Sequence, residues 1–178
     1  KDFLLKDLHK NIQHFDFIAG YRRRVFRDED PANIKAAELM GELHDKLYEI
    51  GFRGHNLELF LIRILFCLFA DDTGIFEKNL FTDYIFQKTR VDGTDLGPQL
   101  NYLFQILNTP TNTRLSNLDE QLQFFPYVNG LLFDEVIPVT SFDSSMREQL
   151  LRCCNFNWSN ISPAIFGSLF QSVMNSEL

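Results

Sequence analysis

Apolar residues in the segment from Pro31 to Gly51 recur at steps of three and four, the spacing of one face of an α-helix. Pro31 suits a first helical position after Asp30 as N-cap, and Gly51 suits the residue that ends a helix. The pattern therefore predicts an amphipathic helix that covers a core from outside. Its apolar stripe consists of Ala36, Leu39, Met40, Leu43, Leu47 and Ile50.

The next segment, Leu57 to Ala70, is apolar around the whole circumference of a helix. Helices of this kind are buried. A bilayer span needs about 20 apolar residues with few charges, whereas this run is shorter and contains Glu58 and Arg63. We therefore expect a central core helix, capped by Asn56, and no membrane span.

Asp71 and Asp72 follow at the carboxyl end of this helix, where the helix dipole disfavours two carboxylates unless something compensates them. A structural role is the favoured interpretation for this pair and for Arg63. Either aspartate could cap the next helical turn or pair with Arg63 or Arg53. The alternative is a metal or catalytic site, but two carboxylates without a third ligand or a base are a weak signal.

Further patterns predict short helices over residues 80–89 and 98–109, joined by a loop at residues 91–97. Pro126, the pair Asn129–Gly130 and Pro138 interrupt the region that follows and predict a small β-hairpin or an extended loop. A last helix is expected after Ser162, and its apolar face needs a partner. Its candidate docking residues are Ile165, Phe166, Leu169 and Phe170.

These elements predict a mainly α fold, a compact multi-helix bundle with a buried central helix and a minor β-hairpin or loop element. We expect residues 1–30 to be a linker and basic segment, and residues 31–178 to be one helical domain of a larger protein. Nineteen phenylalanines favour helices packed on aromatic rings.

The formal net charge of −7 argues against a domain that wraps nucleic acid over its whole surface, since such binding neutralises phosphates with Lys and Arg. Three cysteines without metal or disulfide spacing indicate a reducing, cytosolic compartment. The four histidines form no zinc motif, and the chain has no P-loop and no nucleophile elbow. No catalytic set and no metal or cofactor site can be assembled.

A cluster of arginines beside Tyr21 and Phe26 stands out in this acidic chain. Arginine with aromatic side chains suits contacts to phosphates and stacked bases. The alternative, which sequence physics alone favours, is that residues 28–30 neutralise the cluster locally or that it forms a solvated face. The candidate DNA-binding residues are Arg22, Arg23, Arg24 and Arg27.

The chain resembles the helical spacer region of MmeI-type restriction-modification enzymes and related large adenine-specific DNA methyltransferases. The resemblance runs from about Phe15 to the end. Three motifs carry it in order: DPANIKAAELMGELHDKLYEIGFRGHNLELFLIRILFCLFADDTGIF, FPYVNGLLF and WSNISPAIFGSLFQSVM.

In that family, with or without a preceding nuclease domain, the spacer leads into a domain that transfers a methyl group from S-adenosylmethionine to adenine N6. The family's Asn-Pro-Pro-Tyr and glycine motifs are missing here, so the resemblance implies no catalytic or cofactor-binding residue in this chain. It implies a connector that docks on the methyltransferase domain of the same polypeptide and helps to hold double-stranded DNA, in the prokaryotic cytoplasm. The rival hypotheses are a stand-alone protein-interaction module and a small metal-dependent enzyme using Asp71 and Asp72.

Overall fold

The computed structural model describes residues 31–162 together with Ala164 and Gly167. This part of the chain is mainly α and contains no strand, so the predicted fold class is confirmed. The hairpin alternative is wrong, because residues 124–143 form turns and extended loop, with a single bridge residue at Asn129 and no strand. The α-helices are α1 (Pro31–Glu49), α2 (Gly54–Thr73), α3 (Leu80–Lys88), α4 (Leu96–Leu107), α5 (Glu120–Gln123) and α6 (Ser144–Cys154), with 3-10 turns at Thr111–Thr113 and Trp158–Asn160.

Helix α2 lies at the centre of the core, as the apolar pattern predicts. Nearly all of its side chains from Leu57 to Ala70 are buried. Helices α1 and α3 and the 3-10 turn at Trp158–Asn160 pack around it. No helix in the described part of the chain is long and apolar enough to cross a membrane.

Helix α1 covers the core with the predicted stripe, except for Ile50, which lies beyond the helix end and is 49% exposed. The Gln149 side-chain amide donates to the carbonyl of Leu39 at 3.0 Å and ties α1 to α6. Helix α6 was not predicted. Its start does carry a capping residue, since Asp143 accepts from the Met146 amide at 2.8 Å.

The start of α2 differs from the prediction that Asn56 caps it. The helix begins at Gly54, three residues earlier than a cap at Asn56 would place it, after an extended Arg53 that makes no side-chain cap. Gly51 at φ 90° and Gly54 at φ 61° adopt left-handed conformations that are costly for other residues, and they bring the chain into the helix early. The capping signal at Asn56 is overridden by this glycine turn.

Two glycines, one in the loop before α4 and one in its first turn, allow this part of the chain to lie directly against residues 140–143. A Cβ atom on Gly97 would stand 1.8 Å from the carbonyl oxygen of Thr140, and one on Gly93 would stand 2.3 Å from that of Asp143. Aromatic rings fill the space between the helices, as the phenylalanine content predicts. Phe76 and Phe125, for example, meet edge to face with ring centroids 5.2 Å apart.

Candidate functional site: an anchored loop above a buried arginine

Arg63 is 2% exposed in the middle of α2 and holds the loop of residues 131–137, here called the anchored loop. Its Nε donates to the carbonyl of Leu132 and its Nη2 to the carbonyl of Glu135, both at 2.7 Å. The guanidinium lies 5.4 Å from the ring centre of Phe104 and 5.6 Å from that of Phe133. Burial lowers the pKa of Arg63, with the charge of Glu135 opposing, but a guanidinium remains protonated. Arg63 is therefore a buried cation whose hydrogen bonds go to backbone carbonyls of the anchored loop.

The anchored loop is fixed from three further directions. Phe133 is buried to 3% exposure, and the Asn101 side-chain amide donates to the carbonyl of Ile137 at 3.3 Å. On the outer side, the His55 Nε2 lies 2.9 Å from the Glu135 carboxylate. Between these contacts the loop leaves Leu131 86% exposed and Val136 90% exposed. The structure thus presents two apolar side chains to solvent from a backbone that is held in place.

A cleft of about 270 Å³ separates the anchored loop from α4. Within the described residues, Arg63 Nη1 makes no hydrogen bond, and the buried Asn101 Oδ1 has no partner. Arg63 Nη1 is thus an unused donor of the cleft, and Asn101 Oδ1 is its buried acceptor without a partner. Its lining consists of Arg63, Asn101, Phe104, Gln105, Asn108, Thr109 and residues 133–137.

Asp71 caps helix α3 from the end of α2. Its carboxylate accepts from the amide of Phe81 at 2.8 Å, and from the amide and hydroxyl of Thr82 at 3.1 and 2.8 Å. Asn79, the residue before α3, makes no side-chain cap, so Asp71 fills that role from ten residues away. Burial raises the pKa of Asp71, and the hydrogen bonds from Phe81 and Thr82 oppose this.

Asp72 points to a different element. Its carboxylate accepts from the backbone amide of Trp158 at 2.6 Å, where the 3-10 turn begins. The indole N–H of Trp158 donates to the carbonyl of Cys153 at 2.8 Å. Neither aspartate forms a salt bridge with Arg63 or Arg53 in the described part of the chain. Arg53 instead lies 4.3 Å above the ring of Tyr48.

The two carboxylates therefore bind backbone groups on separate elements. Among the described residues, no group of three or more His, Cys, Asp or Glu side chains could hold a metal ion. Two carboxylates that each hold a peptide N–H supply architecture at the end of α2. The arrangement gives no support to the hypothesis of a metal-dependent enzyme that uses Asp71 and Asp72.

The cysteine thiols offer no nucleophile. Cys67 and Cys153 are fully buried, and burial raises the pKa of both, that of Cys153 to about 12. Burial also raises the pKa of Cys154. Because the thiolate is the reactive form, all three behave as small core residues.

Two arginines with the same role as Arg63 were not singled out in the sequence. Arg147 donates to the Thr89 hydroxyl at 2.8 Å and to the Phe86 carbonyl at 3.2 Å, at the end of α3. Arg114 donates to the carbonyls of Ile106 and Phe125, at 2.9 and 2.7 Å, beyond the end of α4. Arg114 follows the end of α4 by seven residues, so it lies outside the last turn, where a cation would be a recognisable signal. For Arg147 the partner lies 58 residues away, so no local pattern reveals it.

The remaining candidate residues of the sequence analysis fall outside the described part of the chain. They are the DNA-binding candidates Arg22, Arg23, Arg24 and Arg27, and the docking candidates Ile165, Phe166, Leu169 and Phe170.

Comparison with known proteins identifies relatives that share most of this chain. Residues 1–50 match the family model of the MmeI N-terminal domain, and residues 55–133 match that of the MmeI helicase spacer domain. DNA methyltransferase A of Bacillus subtilis (strain 168) is 40% identical over 172 residues, which is 93% of this chain and 19% of that protein. The chain therefore spans about a fifth of that relative.

A solved structure of the Type IIL restriction-modification enzyme MmeI in complex with DNA is also similar. It is 60% identical with a TM-score of 0.74, over 84% of this chain and 20% of that one. The predicted resemblance is confirmed. The chain belongs to the MmeI family of restriction-modification enzymes, in which it corresponds to part of the N-terminal domain and to the helicase spacer domain.

Proposed function

We propose that this chain is the non-catalytic spacer of a site-specific DNA methyltransferase that methylates adenine at N6, in a prokaryotic restriction-modification or phage-defence system of the cytoplasm. The methyltransferase domain of the same polypeptide would bind S-adenosylmethionine and carry out the transfer. The spacer connects and positions domains, with or without a nuclease in the parent protein.

One observation carries the non-catalytic part of this proposal. The charged groups that sequence analysis singled out in the interior, Arg63, Asp71 and Asp72, all bind backbone groups. Catalysis by acid, base or metal needs a side chain that is left for the substrate. In this site the hydrogen bonds that the three charged residues make hold a loop, a helix start and a 3-10 turn.

Charge distribution supports the assignment of DNA contact to the arginine cluster of residues 22–27. Residues 31–162 contain 17 Asp and Glu against 10 Lys and Arg. Of those ten cations, Arg63, Arg114 and Arg147 bind internal carbonyls. The rest of the described surface is acidic and repels phosphates. Four arginines within six residues are the strongest cationic feature of the whole sequence.

Docking on the methyltransferase domain is proposed for the apolar face formed by Ile165, Phe166, Leu169 and Phe170. Apolar residues at helical spacing near the end of this chain suit the buried centre of an interface between domains.

Salt dependence of DNA binding tests the proposal in the full-length protein. Each phosphate contact contributes about 0.9 to the slope of log affinity against log salt. Replacement of Arg22, Arg23, Arg24 and Arg27 by Ala should therefore lower that slope by roughly 2 to 4. The matched control replaces four exposed cations of the described surface, Lys35, Lys78, Lys88 and Arg90, and should leave the slope unchanged.

Equal slopes for the two quadruple variants would remove the arginine cluster from the DNA interface. A separate measurement addresses catalysis: Asp72→Asn should retain methyl transfer to duplex DNA in the full-length protein. Loss of methyl transfer with an unchanged melting temperature would contradict the architectural role of Asp72.

A further inference from the structure

We infer that the anchored loop and the neighbouring face of α4 form a docking surface for another part of the parent polypeptide, distinct from the apolar face after Ser162. The occupant is an uncharged, extended segment that brings apolar side chains and a main-chain amide. The inference rests on the proposed spacer function and names a second contact for it.

The first support is rigid presentation of apolar side chains. Leu131 and Val136 are almost fully exposed, yet the backbone between them is held by both Arg63 hydrogen bonds and by the buried ring of Phe133. Exposed apolar groups on a fixed backbone lose little conformational freedom when a partner covers them. Without such a partner, Arg63 would fix the position of two apolar side chains, Leu131 and Val136, that contact only water.

The second support is the absence of charge on the facing helix. Residues 96–113 contain no Asp, Glu, Lys or Arg, although the chain as a whole is 23% charged. Their outer face instead carries Tyr102, which is 45% exposed, with Gln105 and Asn108. Centres of protein interfaces are depleted in charged residues and enriched in tyrosine. This composition favours a protein partner.

Nucleic acid fits this surface poorly. Phosphate recognition requires Lys or Arg at the surface, whereas the cleft's one cation, Arg63, is 2% exposed and already bound to two carbonyls. The anchored loop also contributes Asp134 and Glu135 to the cleft. These carboxylates would repel phosphates and any acidic peptide.

The chemistry of the cleft indicates which group enters it. Arg63 Nη1 is a donor without a hydrogen bond in the described residues, and Asn101 Oδ1 is an acceptor without one. Because the Asn101 nitrogen donates to the Ile137 carbonyl, the side-chain oxygen is the end left for a ligand. A main-chain amide offers one carbonyl acceptor and one N–H donor, and it carries no charge. An extended segment of main chain therefore offers a suitable partner for each of the two atoms.

The length of the relatives indicates where in the parent protein such a segment could come from. This chain covers 19% of the Bacillus subtilis methyltransferase and 20% of the MmeI structure. In a parent protein of similar length, about four fifths of the polypeptide would lie elsewhere, and some of it must pack against this domain if the spacer positions its neighbours.

Hydrogen exchange in the full-length protein tests the inference. The amides of Glu135 and Val136 donate no hydrogen bond within the described residues, so an uncovered loop would exchange them at nearly the rate of an unstructured peptide. We expect exchange at least about tenfold slower, because the occupant excludes water. Val136→Asp should abolish this protection. Since Val136 is 90% exposed here, the substitution leaves the fold intact.

Val91→Asp is the matched control, because Val91 is also a valine and is 79% exposed, but lies outside the cleft and the anchored loop. It should leave the exchange of residues 131–137 unchanged. Leu131→Asp provides a second variant that should act like Val136→Asp. Unprotected amides in the unmodified protein, or protection that survives both loop variants, would overturn the inference.

Protection that appears only after duplex DNA is added would also overturn it, since DNA would then be the occupant. Methyl transfer is measured on the same samples. An active protein with an unprotected loop refutes the docking surface alone, whereas a protected loop in a protein that transfers no methyl group refutes only the proposed methyltransferase function.

Discussion

Leu43→Ala tests whether helix α1 belongs to the same folding unit as the spacer. Residues 1–50 match the N-terminal domain of the MmeI family, which separates α1 from the helices that follow. In the structure, however, Leu43 is 0% exposed and α1 packs on both α2 and α6. We expect α1 to belong to the folding unit of the spacer, so that a cavity under α1 weakens every helix of the domain.

The expected loss can be derived from the burial of Leu43. Truncating a fully buried leucine to alanine costs about 2 to 5 kcal/mol, through lost transfer free energy and the cavity that remains. If the free energy of unfolding falls by about 3 kcal/mol, the melting temperature of a chain of this size falls by roughly 6 to 12 °C. Leu115→Ala is the matched control: Leu115 is 76% exposed, and the change should stay within about 0.5 kcal/mol.

Urea unfolding of both variants, followed by helical circular dichroism, gives the difference in the free energy of unfolding. Hydrogen exchange then shows where stability is lost. If α1 is integral, the slowly exchanging amides of α2 and α6 become faster in Leu43→Ala by the same factor as those of α1. Faster exchange confined to α1, or equal stability of the two leucine variants, would refute the reasoning.

Three further predictions concern single side chains and are checked by urea unfolding. Arg63→Met should lower the free energy of unfolding by about 2 to 4 kcal/mol, because two loop carbonyls lose their hydrogen-bond donor. It should also make hydrogen exchange faster in residues 131–137. Unchanged exchange there would contradict the anchoring role of Arg63. Gly97→Ala should lower the free energy of unfolding by about 3 kcal/mol or more, because the new Cβ would meet the Thr140 carbonyl. Gly41→Ala is the control: a Cβ there has nothing within 4 Å, and the change should stabilise α1 by about 0.5 to 1 kcal/mol. Similar effects of the two substitutions would be inconsistent with the close approach at Gly97. The pKa of Asp71 is raised above 3.8 in the folded protein, so protonation of Asp71 favours folding. The difference in the free energy of unfolding between the unmodified protein and Asp71→Asn should therefore shrink as the pH rises from about 4 to 7. A difference that grows over that range would contradict the raised pKa.

The helices that the sequence predicted well are those whose signals are local. The stripe of α1 and the all-round apolar surface of α2 depend on spacing within one element, and the structure places both as expected. Asn56 misled the prediction for the start of α2, because two glycines nearby determine where the chain turns. Helix α6 went unpredicted although Asp143 caps it, since its apolar face is narrow and polar residues surround it.

The site was less predictable, because its contacts join residues far apart in sequence. The sequence marks Arg63 as unusual, but its acceptors lie 69 and 72 residues away and are carbonyls, which every residue has. Likewise nothing local indicates that Asp71 caps a helix start ten residues on, or that Arg147 reaches Thr89. Backbone groups carry no residue identity, so side chains that bind them leave no partner to recognise in the sequence.

The buried arginines bind backbone carbonyls and not carboxylates, and this affects how the stability of the protein depends on salt. Arg63, Arg114 and Arg147 bind uncharged carbonyls, and these contacts lie largely beyond the reach of dissolved ions. The ion pairs in the described region, such as Lys35 with Glu38, are exposed and contribute little. If the arginine cluster binds DNA as proposed, concentrated salt would release the duplex while the helical framework kept its shape, so that release from DNA and loss of structure would be separate events.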